Sequence, residues 1–257
     1  MSMPRKLRCV VESITDHGGR VYTVDLAPAN AVPSFRAGQF LHLTVDDFDP
    51  AGFWPESRVF SIANSQHDRS RIRICYSVKG RYTQKIEQTL AVGRDVWIKL
   101  PYGDFVIDDA SDAVLIAGGT GISAFTAFVE GLTPEPRHKV TLVYGARTAD
   151  LLLFQDTILD QFAKVARFNV IFFTENADAG FAGRMAALPR APACIVGRIS
   201  VDSVFSPRSS DIRCLISAAA PSPVYYLAGP PVMISVLSSA LRDRGAEPDQ
   251  IRVDAWE

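Results

Sequence analysis

The residues best suited to chemistry stand in a glycine-rich turn, Gly118-Gly119-Thr120-Gly121-Ile122-Ser123-Ala124, which follows the apolar run Ala113 to Ala117 and opens a segment with helical spacing. Glycines let the backbone approach a ligand closely, and the free N–H groups of a helix start favour a pyrophosphate. Gly119, Gly121 and Ala124 satisfy G-x-G-x-x-G/A, a pattern that also arises from a purely structural tight turn. A second group is Arg58-Val59-Phe60-Ser61, followed by Lys79-Gly80-Arg81-Tyr82-Thr83. A cation beside an aromatic ring and a hydroxyl can hold a phosphate, stack on a flat ring and hydrogen-bond to a ring nitrogen. Simple alternation on a half-exposed strand gives the same pattern with no ligand. The strand after the glycine turn ends Tyr144-Gly145-Ala146-Arg147, without the acidic residue that usually takes a ribose hydroxyl.

Two kinds of element must position these residues. Up to about residue 108 the chain runs in short alternating segments separated by turn residues: Lys6 to Val11, Val21 to Leu26, Gln39 to Val45, Arg58 to Ile62, Arg71 to Val78 and Asp95 to Lys99. One helix is expected at Thr83 to Leu90. Six short strands imply an all-β barrel or sandwich. From Ala113 continuous apolar strands alternate with helical stripes: Ser123 to Leu132, Val140 to Tyr144, Asp156 to Ala166, Phe168 to Phe173 and Val224 to Ala228. A final helix carries Val232, Met233, Val236, Leu237, Ala240 and Leu241 as its stripe, with Gly245 after it. That alternation implies a doubly wound parallel sheet. The expected division is a barrel over 1–109 and an α/β domain over 110–257, with one helix and loops in the Ala-, Pro- and Ser-rich stretch 176–222.

Composition removes several function classes. Lys+Arg 27 against Asp+Glu 28 leaves a formal net charge of -1 over 257 residues, with no electrostatic footprint for nucleic acid. No apolar run approaches the ~20 residues that cross a bilayer, and Met1 to Arg8 has no apolar stretch behind its positive charges. A soluble, non-exported, cytoplasmic protein is expected. Cys9, Cys75, Cys194 and Cys214 form no C-x-x-C pair, which excludes a zinc ribbon and a cysteine-ligated iron–sulfur cluster. His17, His42, His67 and His138 are isolated, so no metal is expected. Gly-x-Ser-x-Gly is absent, which argues against an α/β hydrolase.

The order of the motifs is more informative than any one of them. Arg58-Val59-Phe60-Ser61, Gly80 with Thr83, Pro101-Tyr102-Gly103-Asp104-Phe105, Gly119-Thr120-Gly121-Ile122-Ser123, Tyr144-Gly145-Ala146-Arg147 with Asp150, and Ala228-Gly229-Pro230-Pro231-Val232-Met233 together resemble the ferredoxin-NADP(H) reductase superfamily over nearly the whole chain. The resemblance implies an antiparallel Greek-key flavin-binding barrel and an α/β pyridine-nucleotide domain, with the flavin in a cleft between them. It assigns Arg58 to the flavin phosphate, Phe60 to the isoalloxazine, and Ser61 to the neighbourhood of flavin N5. Val59 shares that strand, Tyr76 and Val78 line the ring, and Gly80, Tyr82 and Thr83 belong to the helix start that cradles the pyrophosphate of FAD. Gly119, Thr120 and Gly121 would receive the nicotinamide nucleotide's pyrophosphate, with Arg147 and Asp150 nearby, while Gly229, Pro230 and Met233 would shape the nicotinamide pocket.

The implied activity is an FAD-dependent NAD(P)H reductase, with FMN the less favoured flavin. Its acceptor would be a separate ferredoxin, flavodoxin or oxygenase component, since the chain lacks cluster ligands. Free flavin or chelated iron as acceptor, an electron-transfer subunit of a larger complex, and a nucleotide-binding regulator without activity are the other readings. Ala228 stands where many members have Cys. The ending Val253-Asp254-Ala255-Trp256-Glu257 is similar to that of oxygenase-type reductases, which makes Asp254 and Trp256, with Ser61, candidates near the reacting atoms; Trp256 could equally pack the last strand. After Phe173 the chain reads Thr174-Glu175-Asn176, where NADPH-specific members carry Ser and Arg. The Glu175 carboxylate repels a 2′-phosphate and accepts from a hydroxyl, so NADH is favoured over NADPH, although Glu175 could be a solvated loop charge and Arg184 and Arg198 are near in sequence.

Overall fold

The computed structural model describes residues 3–108, 110–202 and 223–254. Chain contacts divide it into two compact units, Met1–Ile107 with Ser123–Gly131, and Asp108–Ile122 with Leu132–Glu257.

The first unit contains six antiparallel strands: β1 (Arg5–Asp16), β2 (Val21–Pro28), β3 (Phe40–Thr44), β4 (Arg58–Ser61), β5 (Ile72–Ser77) and β6 (Asp95–Tyr102), with α1 (Arg81–Thr89) between β5 and β6. They lie in the order β4-β3-β6-β1-β2-β5, a Greek-key arrangement in which β6 returns between β3 and β1. The two edges approach each other just past β4, where Ala63 N donates to Arg73 O at 2.8 Å, so the sheet is a nearly closed barrel. Alternation sends Leu7, Cys9 and Val11 of β1, Leu41 and Leu43 of β3, and Val96, Ile98 and Leu100 of β6 into one core. The thiols of Cys9 and Cys75 are buried, and burial pushes each up to about 12, so neither is an accessible nucleophile. The helix α2 (Ser123–Glu130), which the chain order would assign to the α/β domain, clusters with this barrel.

The second unit is a parallel sheet of β7 (Ala113–Gly118), β8 (Val140–Ala146), β9 (Phe168–Thr174), β10 (Ala193–Val196), β11 (Val224–Ala228) and β12 (Ile251–Asp254). Its order is β10-β9-β8-β7-β11-β12, and every pairing is parallel. The helices α3 (Gln155–Lys164), α4 (Ala179–Ala186) and α5 (Pro231–Arg242) fall between strands in sequence. β7 is buried at every position, as expected of a strand covered on both faces.

Two local expectations are corrected. The buried face of α5 is Ile234, Leu237, Ser238 and Leu241, an i, i+3, i+4, i+7 set; Val232 and Val236 lie beside it and are 76% and 60% exposed. In the Ala- and Pro-rich stretch, α4 is accompanied by a strand, β10, which has only four residues at a sheet edge and half-exposed alternation. No helix among the described residues is long and apolar enough to cross a membrane.

Candidate functional site

In the first unit the register of β3 and β4 fixes which way the Arg58 to Ser61 side chains face. Leu43 lies opposite Arg58 and Leu41 opposite Phe60, whereas His42 lies opposite Val59 and Phe40 opposite Ser61. Directly opposed residues share a face, so Arg58 and Phe60 belong to one side of β4 and Val59 and Ser61 to the other. Phe60 is half-buried against the barrel core, 6.0 Å from the Tyr76 ring, and Tyr76 stacks on Tyr22 at 5.3 Å. Burial pushes the Tyr76 phenol well above its usual range, so it stays protonated. The Arg58 side chain is exposed and has no hydrogen bond or ion pair to any described residue, which leaves a guanidinium available to an anion.

The turn from β5 into α1 is built to leave its glycine open. Thr83 Oγ1 accepts from Lys79 N at 3.0 Å and Gly80 N at 3.1 Å and donates to Gly80 O at 2.9 Å, closing the turn that precedes the helix. Val78 N donates to Arg20 O at 3.0 Å, which fixes the strand side. Nothing lies within 4 Å of where a Cβ on Gly80 would stand, so this face of the turn is open beside the first helical N–H groups. Tyr82 is different: it is 2% exposed, and its Oη donates to Glu56 O at 2.8 Å and accepts from Val45 N at 3.3 Å. Its ring anchors α1 to the barrel and presents no free face.

In the second unit the strand order reverses between β7 and β11, the place where open α/β sheets bind ligands at the carboxyl ends of their strands. Gly118 to Gly121 leave β7 there, and Gly229 to Met233 leave β11. The two turns press backbone against backbone. A Cβ on Gly121 would stand 2.4 Å from Ala228 O, and one on Gly118 would stand 2.6 Å from Met233 Sδ and 2.9 Å from Pro230 Cδ. Gly229 has φ +146, and a Cβ there would stand 2.9 Å from Gly118 O. Gly119 behaves otherwise, with φ +54 and nothing within 4 Å of a would-be Cβ. Gly118, Gly121 and Gly229 are therefore packing glycines, while Gly119, next to the half-exposed Thr120, faces open space. Ala228 is buried and pairs with Ala117 on one side and with the buried Asp254 on the other. Trp256 lies outside the described residues.

Farther along the sheet edge, the exposed Arg147 side chain has no partner among the described residues. Asp150, with Thr148, Asn176 and Asp178, lines a shallow cavity of about 400 Å³. Glu175 closes this end: its N–H donates to Ala146 O at 3.2 Å, and its carboxylate accepts from Arg198 Nη2 at 3.1 Å. The ion pair with Arg198 was not foreseen, and only the proximity of Gly197-Arg198 in sequence hinted at it.

One structural residue had no sequence signal at all. Asn64 is fully buried; its Nδ2 donates to Asp68 O and Arg71 O, both at 3.1 Å, and its Oδ1 accepts from Arg73 N at 2.8 Å. It holds together the loop that follows Ser61.

Residues 115–190 match the model of the oxidoreductase NAD-binding domain. The chain is 32% identical over 142 residues to the reductase component 2 of terephthalate 1,2-dioxygenase from Comamonas sp, covering 54% of this chain and 40% of that protein. It is 25% identical over 244 residues to the reductase component of propane 2-monooxygenase from Rhodococcus jostii, covering 92% of this chain and 60% of that one. The chain thus spans about half the length of these relatives. Its fold matches the flavohem-like FAD/NAD-binding domain of nitric oxide dioxygenase from Vibrio cholerae with a TM-score of 0.68 at 18% identity, over 96% of this chain and 97% of that domain. The parallel sheet, with its switch point at the glycine turn, carries the oxidoreductase NAD-binding match over residues 115–190, and the chain is similar to oxygenase reductase components and has the fold of an FAD/NAD-binding domain.

Proposed function

We propose that the chain is an FAD-dependent NAD(P)H reductase, which takes a hydride from a nicotinamide cofactor and passes its two electrons to an acceptor with its own redox centre. The observation that carries this reading is the switch point of the parallel sheet. There three packing glycines hold two turns together and a fourth, Gly119, leaves an amide face open. That arrangement suits the pyrophosphate of a dinucleotide. In the first unit, the Arg58 guanidinium, unpartnered among the described residues, the open Gly80 turn and the half-buried Phe60 ring fit a flavin's phosphate groups and flat ring, while Tyr76, 4% exposed, backs Phe60 from the core.

When bound, FAD supplies a centre that accepts a hydride and releases electrons singly. Arg58 neutralises a phosphate. Thr83 keeps the Gly80 turn in the shape that offers its amides, and Phe60 gives the ring an apolar surface. Ser61, on the opposite face of β4, offers a hydroxyl hydrogen bond. Gly119, Thr120 and Gly121 receive the dinucleotide's pyrophosphate, and Gly229, Pro230 and Met233 shape the nicotinamide end. Asp254 is buried beside Ala228, the residue that precedes that turn. Arg147 and Asp150 flank the adenosine end, where the Glu175 carboxylate disfavours a 2′-phosphate and makes NADH the better donor.

Both relatives are named as reductase components of oxygenases, which supports an oxygenase component or a ferredoxin-type carrier as acceptor. No C-x-x-C pair occurs in the 257 residues, so the electrons leave them for a centre held elsewhere. Purified protein is expected to carry noncovalent FAD, to reduce ferricyanide with NADH, and to reduce a [2Fe-2S] ferredoxin. Free FAD reduced faster than either acceptor would replace this reading with that of a flavin reductase.

A further inference from the structure

The outer face of the barrel carries a row of basic residues without counter-charges. In the sheet register Lys6 of β1 lies directly opposite Lys99 of β6, Lys99 opposite His42 of β3, and His42 opposite Val59 of β4. Leu7, Leu41, Leu43, Ile98 and Leu100 take the inward positions, so this row faces outward. Like charges directly opposite one another destabilise a sheet, which makes Lys6 beside Lys99 a costly arrangement. Neither ammonium has a carboxylate partner among the described residues. Aromatic rings hold them instead: Lys6 Nζ lies 4.7 Å from the Phe48 ring centroid and Lys99 Nζ 5.5 Å from that of Tyr102. Arg8, the next outward residue of β1, differs, since Asp95 accepts from its Nε at 2.9 Å.

Apolar surface borders the row. Phe48 packs edge-on against Trp97 at 5.2 Å and Trp54 at 5.1 Å, and the Tyr102 ring meets that of His42 at 4.9 Å. Phe53, one residue before Trp54, is fully exposed and follows a turn closed by Gly52 N donating to Asp49 O at 2.8 Å. Aromatic rings beside unneutralised cations make the apolar centre and charged rim of a protein interface. An acidic protein surface would offset the repulsion between Lys6 and Lys99. An anionic lipid surface fits less well, because the exposed Asp47 and Asp49 share the Phe53 loop and would face the same negative potential. The row ends at Val59, on the strand whose Arg58, Phe60 and Ser61 the proposed function gives to the flavin.

We propose that this face of the barrel, Lys6 and Lys99 with the Phe48 and Tyr102 rings that hold them, is the docking surface for the electron acceptor, and that the acceptor is a protein presenting carboxylates there. This rests on the reading of the chain as a reductase with a separate acceptor. The test compares the flavin-loaded wild type with the double variant Lys6→Glu, Lys99→Glu. NADH-driven reduction of a [2Fe-2S] ferredoxin of acidic net charge is followed at low and at high salt. Ferricyanide reduction and thermal midpoint are measured alongside.

The double variant is expected to raise the KM for ferredoxin about tenfold at low salt, with ferricyanide reduction unchanged, as loss of electrostatic steering does. Near 1 M salt, where charges are screened beyond about 3 Å, the two proteins should converge. Lys6→Gln with Lys99→Gln removes the charges without reversing them and is expected to raise KM about threefold, which keeps the test open if the glutamate variant does not fold. Equal ferredoxin KM in wild type and variants at low salt would overturn the proposal. So would wild-type protein that reduces ferricyanide but no ferredoxin, or that sediments with phosphatidylglycerol vesicles through these lysines while its ferredoxin KM ignores them. Wild-type protein that reduces neither ferricyanide nor ferredoxin with NADH would instead remove the reductase reading on which the proposal stands.

Discussion

At the residue scale, the clearest candidate for ligand chemistry is Arg58, an exposed guanidinium at the end of an edge strand with no hydrogen bond or ion pair to any described residue. Arg58→Ala is expected to lower FAD affinity about tenfold or more while moving the unfolding free energy by less than ~0.5 kcal/mol, as surface substitutions do. Bound FAD per chain and a denaturant titration check both halves, and full flavin occupancy would remove Arg58 from the site. Glu175 makes the opposite case, since its carboxylate already has Arg198. Glu175→Ala removes a repulsive charge and releases that guanidinium, so the ratio of kcat/KM for NADPH over NADH is expected to rise about tenfold. An unchanged ratio would leave Glu175 a loop charge. Arg58, Gly119 and Glu175 draw attention in the sequence because arginine, glycine and carboxylate stand out at a strand end, a turn and a strand terminus, and their binding roles belong to the proposal. Asn64 draws none, because its role in the loop comes from partners that only the folded chain brings to it.

At the element scale, the β5 to α1 turn shows how a short motif acquires its shape. Thr83 Oγ1 serves two backbone N–H groups and one carbonyl at once, so Thr83→Ala should destabilise the helix start by about 1 kcal/mol and weaken FAD binding, and Thr83→Ser should restore both. Thermal unfolding with and without FAD reads this, and equal FAD affinity in the alanine variant would contradict it. Strand and helix types followed from hydrophobic period for all the long elements, since one buried face imposes that period. The failures have physical causes. The stripe on α5 was displaced because exposed valines adjoin the buried face. The strand β10 was missed because a four-residue edge strand buries too little to leave a pattern. The grouping of α2 with the barrel was invisible, because sequence order placed it with the sheet and its long-range contacts carry no local signature.

At the scale of the whole molecule, titration should make the barrel the acid-sensitive unit. Asp68, Glu87 and Asp95 are held below the ordinary carboxylate range by the Ser70 hydroxyl, the Arg20 guanidinium and the Arg8 guanidinium respectively. A depressed carboxylate contributes stability above its unfolded pKa and loses it as pH falls through the folded value. Burial pushes His17 and His42 down, so proton uptake favours the unfolded chain once pH drops below about 6.5. The two effects share a sign. The thermal midpoint is expected to be level above about pH 7, to decline gently below about 6.5 and to fall steeply below about 4. A midpoint higher at pH 5 than at pH 8 would contradict this. The central claim, that the chain is a nicotinamide-to-flavin reductase, is tested most directly by mixing the flavin-loaded protein with one equivalent of NADH without oxygen. The expected result is stoichiometric bleaching of the flavin's visible absorbance, faster with NADH than with NADPH; a protein that binds no flavin, or whose flavin stays oxidised with both donors, would contradict it.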